Sequence, residues 1–562
     1  MKTKLLILSI YICGIANAQA PNWVWAKSLG NSDPQVATSI ACDTSGNIYI
    51  AGIFSNPMIV GTTTLTSAGL YDIFLAKYDP SGNVIWAKSA GGAKNEGMIN
   101  NVVDQKAISL SVNSSGDAFI TGSFLSPTIN FGSVNLTNAD NTGNTADIFL
   151  AKYDYLGNLL WAKSAGQTAT SEKAESIAAD TSGNVYIAGF FNSSILIFDT
   201  TTLTNADASH EDMFLAKFDT SGNVLWAKRE GSEDNDEANS IAVDAFGNVY
   251  VAGCFRGATL SFDSSTLTNA TSCCTYDIFL TKYDAAGNVQ WAKRAGGASS
   301  EFPISIAFDA AGNIFVAGIF DGTMYFGSIS LYFAGYYDTF LAKYDASGSV
   351  LWAKRAGYAD ADVGYSVAAD AAGNAYLTGS FSSPTIIFGA TTLTNANNNG
   401  YLSDIFVTKY DVSGNEAWAI RVGGSSSESA NSNVVDASGN IYVAGGFNSS
   451  TVSFGSTTLP SAGQQDVFLA KLDGSIVTEV NKLSNSSNIS IFPNPTNGKF
   501  TTNSEEKISA IEIENVLGEK IYPSSINLNK SEIDLISQPN GVYFISIKTE
   551  NGVINKKIIM NK

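Results

Sequence analysis

A single histidine, His210, serves all 562 residues, so any Ser-His-Asp or Cys-His relay would have to be built around that one side chain. No G-x-S-x-G elbow, phosphate-binding loop or dinucleotide fingerprint accompanies it, and His210 reads as a surface residue. Beyond the first twenty residues stand four cysteines, Cys42, Cys254, Cys273 and Cys274. With no C-x-x-C pair and no histidine partner they make no zinc site. Cys254 shares one repeat with Cys273 and Cys274, where a local bridge and idle thiols are both open. The carboxylates are more regular: Glu96, Asp236, Glu301, Asp362 and Glu428 each lie ten residues after a recurrent tryptophan, with Glu172 at eleven and Asp33 at eight. Placed round the mouth of a channel, they would bind or steer cations. Alternatively, each acid ties down its own loop through backbone N–H groups or a neighbour such as Arg294 or Arg355. Repetition in every unit favours the second reading, because a binding site usually breaks the symmetry of its scaffold. Hydrolysis of a glycoside needs only two carboxylates, and the second unit, with its inserted Glu96–Lys106 segment, is the place to seek them.

The elements that must carry these residues repeat. The tryptophan of a W-A-K/I triplet recurs at Trp25, Trp86, Trp161, Trp226, Trp291, Trp352 and Trp418, in steps of 61, 75, 65, 65, 61 and 66. Each unit of about 65 residues holds four β-rich runs, as in Ser39–Asp43, Gly46–Gly52, Asp72–Asp79 and the run around Trp86. Four strands per unit make the blade of a β-propeller, buried on both faces, which explains consecutive apolar residues such as Ile73, Phe74 and Leu75. The first tryptophan strand precedes any blade, and the last F-L-A-K strand has no tryptophan strand after it. The expected fold is therefore an all-β, seven-bladed propeller closed by its N-terminal strand, with Trp25 buried against the last blade and no unpaired edge.

D-x-x-G-N runs such as Asp43–Asn47 and Asp79–Asn83 read as hairpin turns, with Asp accepting from backbone N–H groups and Gly at positive φ. They lack the ligands at positions 3 and 5 and the distant bidentate Glu of an EF-hand loop, so no cofactor is expected and calcium is the one cation left open. Between second and third strands an apolar-Phe-Gly/Asp motif, with Gly132, Asp199, Asp263, Gly327, Gly389 or Gly455 after the Phe, predicts a small hairpin with a left-handed residue. The variable loops should then share one end of the ring.

Both chain ends carry other signals. Residues 1–18 have a basic start, about a dozen apolar residues and a small-x-small site ending at Ala18, which is a signal peptide. No later segment approaches the ~18 apolar residues of a spanning helix. The propeller takes 19–474, a glycine-free Ser/Asn-ending linker 475–487, and a second domain 488–562. Net charge is −19, from 32 Lys and Arg against 51 Asp and Glu, which argues against a nucleic-acid partner. The last domain is neutral, so the acidity belongs to a propeller expected to be monomeric.

Two resemblances add to this. The D-x-x-G-N-x-Y-[VIL]-[AT]-G signature, as at Asp180–Gly189 and Asp436–Gly445, resembles β-propeller repeats of secreted bacterial proteins, which implies a fold and little about activity. The tail resembles the type A C-terminal sorting domain of the type IX secretion system of Bacteroidota. The carrying segments are I-F-P-N-P (Pro493, Asn494, Pro495), I-E-N-V-L-G-E-K (Gly518), I-D-L-I-S-Q-P-N-G-V-Y (Pro539, Gly541, Tyr543) and K-K-I-I-M-N-K (Lys556, Lys557). Gln538 departs from the apolar residue usual before the proline. The resemblance implies a small Ig-like β-sandwich, the type IX secretion machinery as partner, and an extracellular or surface location anchored at the outer membrane. The molecular role expected of the ring is non-catalytic binding or adhesion to a glycan or protein, the alternatives being an enzyme acting on extracellular polysaccharide and a structural spacer.

Overall fold

One five-residue run does most of the turning. In Asp43–Asn47 the Asp43 carboxylate accepts from the Ser45 and Asn47 amides, the Asn47 side chain donates back to it at 2.8 Å, and Gly46 takes φ 78°. The same arrangement recurs at Asp79, Asp180, Asp219, Asp284 and Asp436, as their spelling predicts. The computed structural model describes residues 20–99, 102–103, 106–168, 170–263, 265–271, 274–397, 400–474, 489–515, 519–549 and 552–562. The signal segment with Ala18, the linker 475–487, Cys273 and Gly518 lie outside the described residues.

These turns produce antiparallel sheets of four sequential strands. The first unit is Gln35–Cys42, Ile48–Phe54, Asp72–Tyr78 and Val84–Ala90. Among the described residues there are six four-stranded sheets of this propeller-like kind, and a seventh in which Val289–Gly297 continues into the hairpin Met324–Phe326 and Ile329–Leu331. Second and third strands are buried along almost their whole length, as in Ile48–Phe54 and Asp72–Tyr78, because neighbouring sheets cover both faces. A short hairpin joins second to third strands in each unit, and the residue after its Phe is left-handed as expected: φ is 81° at Gly132, 51° at Asp199 and 45° at Asp263.

The last sheet borrows its fourth strand. Trp23–Leu29 pairs antiparallel with Asp466–Leu472, matching Trp25 with Lys471 and Leu29 with Val467. Leu29, Ile40 and Phe54 of the first unit and Tyr442, Val467 and Leu469 of the last share one apolar cluster. Trp25 itself is half-buried rather than buried.

Repeated contacts join successive units. The Trp86 indole donates to the Tyr155 carbonyl of the next unit, as Trp161 does to Thr220 and Trp352 to Val412. Each such indole lies over the glycine of that turn: a Cβ on Gly222, at φ 81°, would come within 3.0 Å of Trp161. In seven places a lysine ammonium sits over an aromatic ring of the second strand, from Lys77 on Tyr49 to Lys471 on Tyr442.

From residue 489 onward the described residues form a separate compact unit. Its sheet has five strands, with Lys499–Asn515 paired to Ser490–Phe492, Lys520–Asp534 and Gly541–Thr549, and Gly552–Met560 at the edge. The long hairpin breaks register between Asn503 and Ile508. Ile511, Ile513, Ile545, Ile547 and Ile558 pack its core.

Candidate functional site

Glu172, Asp236, Glu301, Asp362 and Glu428 begin the first strands of their units, at the junction with the unit before, whereas Glu96 makes an isolated bridge with Phe124 ahead of the second unit's first strand, Ile108–Val112. The backbone amides of Glu96, Glu172, Asp236, Glu301, Asp362 and Glu428 donate to Tyr71, Ala146, Glu211, Tyr276, Tyr337 and Ser403, each the residue preceding a third-strand aspartate. The register places Gln35, not Asp33, in the first unit's version of this position: Gln35 pairs with Phe54 as Glu172 pairs with Phe191. Asp33 is part-exposed and takes the hydroxyl of Ser32. The other six side chains are 0–1% exposed, so they form no open rim. Most bind their own loop: Glu172 accepts from the Gln167 amide, Glu301 from Gly297, Asp362 from Tyr358 and Glu428 from Gly424. The arginines pair instead with the third-strand aspartates, Arg229 with Asp212 at 2.6 Å and Arg355 with Asp338 at 2.8 Å. Burial, and then the facing aspartate, push Glu301 up to about 9. Burial likewise lifts Glu96 and Asp236 to about 8 and Glu172, Asp362 and Glu428 to about 7.

Further along, the first strands meet round a cavity of about 180 Å³. Each contributes a serine, and these bond in a closed cycle. Leu110 N–H donates to Ser39 Oγ, Ile177 to Ser109, Ile241 to Ser176, Ile306 to Ser240, Val367 to Ser305, Asn433 to Ser366 and Ile40 to Ser432, at 3.0–3.3 Å. The serine of the S-I-A-x-D run was visible in the sequence as a landmark, but nothing local marked it as a link between units.

The cavity wall breaks the symmetry on one side. Lys106, from the second unit's insertion, donates to the Asn239 carbonyl at 2.9 Å, and Glu175 pairs with Lys173 at 2.6 Å. The Asn239 amide donates to Glu237. Burial, reinforced by Glu237 and Glu175, lifts Glu211 to about 7, and burial with Glu175 raises Glu237. A search for repeated positions overlooks this group, because its residues are the ones that depart from the repeat. Among the described residues, no three His, Cys, Asp or Glu side chains converge as a metal cluster. His210 lies in a loop between Asp207 and Asp234, while Cys42 and Cys254 are free thiols.

At the loop-bearing end of the fifth and sixth units, large aromatics stand in solvent: Tyr332 and Tyr336 are 69% exposed, Tyr401 89%, with Phe333 and Tyr358 beside them in exposure at 47% and 49%. Their loops touch, since a Cβ on Gly335 would meet the Tyr358 carbonyl and one on Gly400 the Asp360 carboxylate.

In the C-terminal domain the sorting-type residues from the two ends of the segment meet. The Asn494 amide donates to the Lys557 carbonyl at 2.7 Å and its oxygen accepts from Ile559 N–H. The Tyr543 hydroxyl closes on Pro539 at 2.7 Å and Lys556 on Ile489 at 2.8 Å. Gly541 opens its strand with nothing within 4 Å of where a Cβ would stand. Pro493 and Pro495 flank Asn494.

Residues 490–561 match the model of a secretion system C-terminal sorting domain, and 226–253 and 351–380 match a β-propeller repeat. An uncharacterized WD repeat-containing protein of Acanthamoeba polyphaga mimivirus is 25% identical over 527 residues, 77% of this chain and 36% of that protein. The regulatory protein FlaEY of Caulobacter vibrioides is 26% identical over 274 residues, covering 46% and 28%. The chain thus spans about a third of the length of the curated relatives it matches. Among solved structures, PorZ, a surface component of the type IX secretion system of Porphyromonas gingivalis, shares 12% identity over 94% of this chain and 81% of that one, with a TM-score of 0.20. The sorting domain indicates export to a surface or extracellular location. The chain joins β-propeller repeats to a C-terminal sorting domain of the type IX secretion system.

Proposed function

We propose that the protein is an exported surface module whose repeats, within 19–474, close as a seven-bladed ring and bind a glycan or protein ligand at the loop-bearing end without turning it over. The serine cycle and the pairing of Trp23–Leu29 with the last sheet support the ring. In this reading the bent tail sheet folds as a small Ig-like sandwich, the linker 475–487 spaces it from the ring, the secretion machinery recognises the tail, and the ring stays at the outer membrane surface.

The observation that carries binding is the exposed aromatic group of Tyr332, Phe333, Tyr336, Tyr358 and Tyr401. Tyrosines pair an apolar face with a polar tip, and a patch of them on touching loops marks an interaction surface. It also singles out two units, as a binding site should. Glycan and protein arrays probed with the purified chain test the reading: binding is expected, and Tyr336→Ala with Tyr401→Ala should abolish it while leaving the melting temperature within a degree or two. Silence on both arrays, with self-association alone, would favour a spacer.

A second reading rests on the acids beside the cavity: Glu175 lines it, and Glu211, lifted to about 7, lies near Glu175 and Glu237. An acid and a carboxylate are what glycoside cleavage requires. Polysaccharide turnover lost in Glu211→Gln would replace binding by catalysis.

A further inference from the structure

Four junctions carry their own cation. Arg229, Arg294, Arg355 and Arg421 reach Asp212, Asp277, Asp338 and Asp404 from one register position, opposite Phe214, Phe279, Phe340 and Phe406. At the junction of Asp72 with Glu96 the same position, opposite Phe74, is Ser89. The two other junctions without arginine are relieved in other ways. Asp466 faces the uncharged Gln35 across Gly30, and Glu172, opposite Asp147, accepts from the Gln167 amide and the Thr170 hydroxyl.

Asp72 and Glu96 are relieved less: the Ser126 hydroxyl and the Gly92 amide lie near Glu96 without reaching hydrogen-bonding geometry. The two acids are 2% and 0% exposed. Asp72 Oδ2 accepts from the Ala68 amide at 2.7 Å, while Asp72 Oδ1 finds no donor, as at Asp147, Asp277, Asp338, Asp404 and Asp466; among the described junction acids Glu96 alone has both oxygens without a donor at hydrogen-bonding distance and angle. The lysine nearest in sequence, Lys94, gives its ammonium to the Thr142 and Gly143 carbonyls. The Asp72 carboxyl packs directly on Gly91, where a Cβ would fall 2.0 Å from it. Two buried, facing carboxylates with three empty acceptor oxygens are costly as they stand.

We propose that Asp72 and Glu96 bind one hard divalent cation of the calcium class, which replaces the guanidinium of the other junctions. The donors are all oxygens: Asp72 Oδ1, the two Glu96 oxygens, the neighbouring Ser126 hydroxyl, and water. Calcium accepts such a mixed and irregular set, whereas magnesium demands a near-ideal octahedron. The rival occupant is one proton shared by the two carboxyls.

The test uses the full mature chain, stripped with EDTA and then dialysed against calcium chloride. Elemental analysis should find one calcium per chain, with a Kd on the order of 10⁻⁴–10⁻³ M, the range of extracellular calcium modules. Saturating calcium should raise the melting temperature by roughly 2–4 °C. Glu96→Gln should lose both effects. Ser89→Arg, which installs the internal cation of the other junctions, should lose calcium binding yet melt in EDTA at or above the wild-type temperature, and this keeps the test decisive if Glu96→Gln folds poorly. Calcium binding unchanged in Ser89→Arg would overturn the assignment. So would a wild-type chain that binds no calcium and whose stability follows pH alone, the mark of the shared proton.

Discussion

Glu301 shows how a charge can be kept uncharged. Its side chain is buried against Asp277, and its pKa is pushed up to about 9, so the folded state holds a proton that the unfolded chain releases near the ordinary value of ~4.3. Stability from this source is complete below that value, declines as pH rises, and is gone once pH passes the folded pKa. With Asp236 near 8 and Glu428 near 7 acting in the same direction, the melting temperature should fall steadily from pH 6 to pH 9. Glu301→Gln should flatten the upper part of that fall. A second residue-scale test is Gly222→Ala, which forces a side chain into positive φ beneath the Trp161 indole; thermal melts should show a loss of about 1–3 kcal/mol. Such residues were legible in the sequence because a turn is a local problem: Asp, Gly and Asn within five positions settle it. The junction acids were legible only as a spacing. Counting from tryptophan singled out Asp33, whereas strand register, which depends on pairing with Phe54, selects Gln35.

At the scale of elements, the strand Trp23–Leu29 pairs, among the described residues, with the distant Asp466–Leu472 alone. Deleting residues 19–28 should leave that buried strand with a bare edge, and exposed edges recruit other chains. Size-exclusion chromatography should then show aggregates, and the surviving monomer should melt several degrees lower. Within the serine cycle, Ser176→Ala removes the acceptor of the Ile241 amide and should cost about 1 kcal/mol. Strand order followed from the repeat because every unit repeats the same hairpins. The hydroxyl links did not, since a serine in a β-run reads the same whether it faces water or the next sheet. The aromatic group was hidden for a related reason: Tyr332, Tyr358 and Tyr401 lie in three separate loops and become neighbours only once the fifth and sixth units are side by side.

For the whole molecule, the consequence of the sorting domain is a matter of location. Removal of residues 488–562 should leave the chain in the periplasm, as fractionation and surface labelling of intact cells would show; wild-type levels outside the cell would refute the export route. The packing of Asn494 against Lys557 and Ile559 sharpens this, because a shorter cut that removes only the final strand should fail equally.

One feature of the order along the chain bears on quality control. Trp23–Leu29 is made before its partner Asp466–Leu472, and the sorting domain follows that partner. A chain stopped within the propeller repeats loses the partner and the sorting domain together. On the proposed reading, a chain that possesses the sorting domain has already acquired both strands of that pairing, so a machinery reading only the tail would in effect inspect the length of its cargo.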